Sequence, residues 1–172
     1  MTSLYDIPNL SLTDAHLTDP LLMALAWKRA HNYIRTTNWY ADNFELDISS
    51  LFLAQNSAQW AEEIKSSQPL APLQLVPAPK TCEWVFEPSG AEQCLDWQPK
   101  DADSLSLRPL AHIGIKEQTF FTLLLMCLAN KVETEQGDPA TDFKDVHEKG
   151  VVNYGNRLYC TYSDEGLAEH NY

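Results

Sequence analysis

Three aspartates, Asp138, Asp142 and Asp145, recur at a spacing that would line one side of a helix, and grouped carboxylates are what a divalent cation or a general acid requires. Pro139 interrupts the segment, so a solvated acidic loop is the expected reading. A two-metal phosphoryl-transfer site needs carboxylates within about 4 Å on rigid strands, and the sequence offers no such pair. His16, His31, His112, His147 and His170 form neither HExxH nor a close His/Cys cluster, which argues against zinc. Phosphate-cradling GxxxxGK and GxGxxG runs are missing, and only six glycines are spread over the chain. GxSxG is missing too, and nothing brings Ser, His and Asp together, which argues against a hydrolytic triad. No catalytic residue, no metal ligand and no cofactor is therefore assigned.

Aromatic and cationic side chains carry more information. Five tryptophans in 172 residues supply core or interface anchors. Trp27 and Trp60 lie on helical stripes and are expected inside. Trp39 follows Arg35 and precedes Tyr40, a grouping that either stacks on a base or clamps a loop. Arg108, Lys116 and Arg157 flank strand-like segments, where cations contact phosphate oxygens if they share one groove and otherwise serve as ordinary surface or salt-bridged residues.

Positioning these residues falls to a small set of elements. Residues 1–19 read as an N-terminal arm. Asp19 or Thr18 caps and Pro20 opens a helix on which Leu22, Leu25 or Ala26, Arg29 or Ala30, and Tyr33 recur at helical spacing, widened by Met23, Trp27, Ala30 and Ile34. A second helix is expected from Ser49 or Ser50 through Ser67, stopped before Pro69 and Pro72. LQLV, TCEWVFE and CLDWQP then read as short hairpin strands punctuated by proline and by Ser89-Gly90. LSLRPLAHIGI reads as one strand, or two broken at Pro109. Lys116 opens the strongest helix, with Phe120, Leu123 or Leu124, Cys127 and Leu128 as its buried stripe, and QGDP ends it. ATDFKDVHEKG is a polar excursion, and VVNYGNRLYCTY a turn leading into a closing strand.

The expectation is one α+β domain over 20–172, mostly helical with a small strand-rich middle: helical 20–67, strand-rich 68–115, core helix and closing strand 116–172. Twelve Lys+Arg against 24 Asp+Glu give a net charge of -12, split as -3 over residues 1–80 and -9 over 81–172. Such acidity opposes unaided polyanion binding. No run reaches the roughly 18–20 apolar residues of a membrane span, and the N-terminus lacks a secretion signal. A cytoplasmic location follows as an expectation, with Cys82, Cys94, Cys127 and Cys160 reduced; a Cys82 to Cys94 bridge is the alternative.

The blocks LMALAWKRAHNYIRTTNWYAD (from Leu22), LQLVPAPK, LRPLAHIGIKEQTFFTLLLMCLANKVETEQGDP and YGNRLYC resemble, in that order, the amino-terminal, fingers-side region of bacterial reverse-transcriptase-like proteins, including those linked to antiphage defence. The resemblance covers most of residues 20–160. It implies a fingers-like α+β fold followed, in the family, by a palm whose aspartates, including a Tyr/Phe-x-Asp-Asp turn, bind magnesium. This sequence has no such turn, so the resemblance implies a palm-less portion that is not a polymerase by itself. It further implies that Lys80, Arg108 and Lys116 approach template or incoming nucleotide, and that Arg157 lies on the approach to the palm. Together with Arg35 and Trp39 these form the expected nucleic-acid-binding set. RNA or DNA, and the remainder of a polymerase or a protein partner, are the expected partners.

A reading from another class is an acidic protein-interaction module in which Trp39, Trp84 and Trp97 bind a polypeptide; Trp84 and Trp97 are its expected interface residues. A nucleic-acid-mimic inhibitor is a variant of it, and a small hydrolase stands third.

Overall fold

The computed structural model describes residues 10–36, 43–80, 83–88, 95–101, 103, 106–152, 157–158 and 160–169. It is a mixed α+β fold, mostly helical, with a small strand-rich region. The chain forms two compact units, one of residues 1–71 with 114–172 and one of residues 72–113.

The first unit is built on helices. Asp19 accepts the backbone N–H groups of Leu21 at 2.7 Å and Leu22 at 3.4 Å, satisfying donors that the first turn leaves open. From there α2 (Pro20–Thr36) runs with Leu22, Met23, Leu25, Ala26, Trp27, Ala30 and Ile34 buried. It packs against α5 (Ile115–Gln136), which contributes Ile115, Leu123, Met126 and Cys127, and against α4 (Leu53–Lys65), which contributes Trp60. Burial of such side chains stabilises a fold by about 1.5–3 kcal/mol each. Trp27 and Trp60 lie in this core, Trp27 donating its indole N–H to Ser49 Oγ at 3.0 Å.

Several expectations are corrected. The stretch read as an arm holds α1 (Asp14–Leu17) and a buried Leu10, so its described part belongs to the packed unit. The second helix is two: α3 (Asn43–Leu51) precedes α4, with a break at Phe52. Ser49 and Ser50 do not start a helix. Their hydroxyls donate backward to the carbonyls of Leu46 and Asp47, three residues earlier, which helical geometry allows inside a helix. Tyr33 and Leu128 are exposed rather than part of the buried stripes, and Met126 takes the inner place on α5.

At its far end α5 is closed by Gly137, whose φ of 73° suits a residue without a side chain and whose missing Cβ leaves room for Val151. A 3-10 turn (Phe143–Asp145) and the short antiparallel pair β5 (Thr161–Tyr162) and β6 (Ala168–Glu169) complete the unit. Strand β6 is tied to α5 by the Ala168 N–H, which donates to Thr134 Oγ1 at 3.1 Å.

The second unit is a pair of nested antiparallel ribbons. Strand β1 (Gln74–Pro79) pairs with β4 (Leu107–His112), and β2 (Trp84–Pro88) pairs with β3 (Leu95–Pro99). Strand β4 runs unbroken through Pro109, and the register explains why. Lys80 N–H donates to Ser106 O at 2.8 Å, so positions 80/106, 78/108 and 76/110 are the hydrogen-bonded pairs of the alternating antiparallel pattern. Pro77 and Pro109 face each other at a non-hydrogen-bonded pair, where the N–H that proline lacks would not have served the ladder.

Among the described residues no helix is long and apolar enough to cross a membrane. Cys127 is buried and Cys160 half-buried, neither in a disulfide, while Cys82 and Cys94 lie outside the described residues.

Candidate nucleic-acid interface

Residues on one face of a strand alternate with those on the other, and cross-strand partners share a face. The β1–β4 register therefore puts Val76, Lys80, Arg108, Leu110 and His112 on one face of their ribbon. Lys80 and Arg108 are diagonal neighbours there, both exposed. An ammonium just past the end of β1 and a guanidinium on β4 can grip successive anionic oxygens, Arg in a bidentate manner and Lys as a point charge.

The same alternation sorts β2 and β3. Trp84, Phe86 and Pro88 share a face with Trp97 and Pro99, while Val85, Glu87, Asp96 and Gln98 take the other. Lys100 N–H donates to Glu83 O, which makes Phe86 and Trp97 a non-hydrogen-bonded pair, the closer kind across an antiparallel ladder. Their ring centroids lie 4.0 Å apart at 41°, with Phe86 55% and Trp97 59% exposed. Trp84 is half-buried.

The three expected cations of the helical unit are engaged with carboxylates. Arg35 on α2 pairs with Asp47 on α3 at the surface. Lys116 donates to Glu63 Oε2 at 3.2 Å and lies 3.5 Å from Glu117 Oε1. Burial pulls the Lys116 ammonium down, but the two carboxylates outweigh it and hold it above the ordinary lysine value. Glu117 is buried and also accepts the Ala71 N–H at 3.0 Å. Glu45 of α3 accepts the Ile115 N–H at 3.2 Å, placing negative charge where the α5 N-terminus favours it.

Arg157 is turned inward. Its side chain is 8% exposed, with Nε donating to Glu133 Oε2 at 2.8 Å, Nη1 to Val152 O at 2.9 Å and Nη2 to Gly137 O at 2.8 Å and Tyr162 Oη at 2.6 Å. The other Glu133 oxygen accepts the Leu158 N–H at 2.9 Å. Burial pushes the Glu133 carboxyl up, yet the Leu158 N–H and Arg157 together hold it below its usual value. The Tyr162 hydroxyl is pushed up to about 12, chiefly by burial. This network staples the C-terminal segment to α5. With its donors so committed, Arg157 has a structural position rather than one that offers a phosphate contact.

Of the expected set, then, Lys80 and Arg108 come together, as do Trp84 and Trp97, and Trp39 lies outside the described residues. Sequence reasoning missed Phe86. The signal was the two-residue period in WVFEP and LDWQP, which puts every large apolar residue of β2 but Val85 on one side. Among the described residues no three His, Cys, Asp or Glu side chains gather to hold a metal ion. Asp138 and Asp142 instead accept the backbone N–H groups of Ala140 and Lys144 in local turns. No family model matches the chain, and no curated protein or solved structure matches it.

Proposed function

We propose that the chain is a non-catalytic, fingers-like portion of a reverse-transcriptase-related protein that helps position RNA or DNA, in the setting of antiphage defence, while another segment carries out phosphoryl transfer. The observation that supports this reading is the shared, exposed face of Lys80 and Arg108 on the β1–β4 ribbon, in blocks that also carry the resemblance. Among the described residues no carboxylates gather as a magnesium site would require, and in this reading the ion is held by the palm. Fluorescence anisotropy with labelled single-stranded RNA tests the reading. Lys80→Ala with Arg108→Ala is expected to abolish a salt-sensitive binding shown by the unaltered chain, and weak binding that the double substitution leaves unchanged would sink the proposal.

A second reading, an acidic protein-interaction module, is favoured by one observation. Phe121, Leu125, Leu128 and Val132 recur along α5 and are all exposed, on the side opposite Leu123 and Met126. Leu125→Asp with Leu128→Asp is expected to release a co-purifying polypeptide without loss of helical signal. Undiminished co-purification would remove this reading.

A further inference from the structure

The β2–β3 ribbon is amphipathic in a way its own unit does not explain. An antiparallel ribbon with one apolar and one polar face normally packs the apolar face on something, yet Phe86 and Trp97 stand more than half exposed at its centre. Three aromatic rings and two prolines form this face. An aromatic side chain buries about 150–250 Å² when fully covered, and Trp84 is already partly covered, so the free area is on the order of 300 Å². A stable protein–protein contact takes about 800 Å² from each partner. The face is too small for a second folded chain and suits a ligand that gains much from little area.

We infer that the Trp84, Phe86 and Trp97 face of the β2–β3 ribbon is a stacking platform for unpaired bases of single-stranded nucleic acid. The inference rests on the nucleic-acid-positioning reading and names the part of the ligand that this unit takes. Base–aromatic stacking needs only an accessible ring face and tolerates any sequence. The phosphates have a complement on the same unit, since Lys80 is four residues before Trp84, no more than about 14 Å of extended chain. Glu87 and Asp96 occupy the opposite face of the ribbon, where they repel a polyanion from the polar side and leave the aromatic side as its approach.

The test uses the full chain with two labelled probes of equal length, about 12 nucleotides: oligouridylate, and an abasic strand that keeps the phosphates but has no bases. Trp97→Ala is expected to weaken oligouridylate binding roughly tenfold and to leave abasic binding unchanged. Trp97→Phe, which keeps a ring, should restore most of the loss, and Lys80→Ala with Arg108→Ala should weaken both probes. If Trp97→Ala and Phe86→Ala bind oligouridylate as the unaltered chain does, while the cation variant still loses both probes, the platform is overturned and the positioning reading stands. An equal loss on both probes in Trp97→Ala assigns the residue to the fold and likewise overturns the platform. If the unaltered chain binds neither probe at low salt, the positioning reading fails and takes the platform with it. A Trp97-dependent sedimentation shift without nucleic acid, alongside unchanged RNA binding, would assign the face to a polypeptide and overturn the inference.

Discussion

Arg157 carries the clearest consequence of a single side chain. Its guanidinium and the Glu133 carboxylate are both almost wholly buried, and each satisfies the other along with backbone groups on the C-terminal segment. Removing one member of a buried pair leaves an uncompensated charge, at a cost of about 3–5 kcal/mol. Arg157→Ala is expected to lower stability by that amount in urea denaturation, more than any substitution of Arg35, whose exposed pair with Asp47 is worth at most about 1 kcal/mol. The pair also makes stability depend on pH. The folded chain holds the Glu133 carboxyl below its ordinary 4.5, so its contribution is complete above about that pH and is lost as pH falls through the lower folded value. Glu133→Gln should therefore be markedly less stable than the unaltered chain at pH 7, with the gap closing below pH 4.5; a gap independent of pH would contradict this. None of it was legible in YGNRL, because a cation beside a strand looks the same whether it faces solvent or a carboxylate 24 residues earlier in the chain. The cap before Pro20, narrowed to Thr18 or Asp19, and the stop in QGDP are legible by contrast, since a cap and a helix stop act on their immediate neighbours.

Among the elements, α5 shows where periodicity stops being informative. Its buried line of Ile115, Thr119, Leu123, Met126 and Asn130 includes two polar residues, and its exposed line of Phe121, Leu125, Leu128 and Val132 is entirely apolar. A helix apolar on both sides has no stripe to choose, so periodicity alone does not separate Leu128 from the buried line. The two lines should respond differently to truncation. Leu123→Ala removes a fully buried side chain and is expected to cost about 2–5 kcal/mol, whereas Leu128→Ala should stay within about 0.5 kcal/mol. Thermal denaturation of the two variants checks the assignment, and equal losses would mean that α5 is covered on both faces. Helix α3 escapes the sequence pattern for a related reason: Phe44, Ile48 and Leu51 are exposed, and its buried residues are Leu46 and Ser49. The strands are more legible because alternation and proline punctuation are local signals, although whether Pro109 breaks a strand depends on its cross-strand register.

At the scale of the whole molecule the net charge of -12 sets the terms for any polyanion. Arg35, Lys116 and Arg157 pair with carboxylates, so under the proposed reading Lys80 and Arg108 are the members of the expected set that would meet phosphate. Two phosphates on a single strand correspond to a slope of about -1.4 in log affinity against log salt. A titration between low and physiological salt should give that shallow value for the isolated chain, and a slope several times steeper would require cations outside this pair.

The prolines of the ribbons have a final effect that concerns other molecules. In an antiparallel pair the N–H of a non-hydrogen-bonded position points sideways, out of the ladder. Pro77, Pro79, Pro88, Pro99 and Pro109 all occupy such positions, at least one on each strand, so each rim of the ribbons lacks a donor at that point. A strand from a neighbouring copy that tried to add itself there would meet gaps where its carbonyls need partners. These gaps disfavour a third strand and so oppose growth of the ribbons into fibres. Replacing Pro77 and Pro109 with threonine should leave the ribbon paired and make the protein prone to thioflavin-positive aggregation on standing.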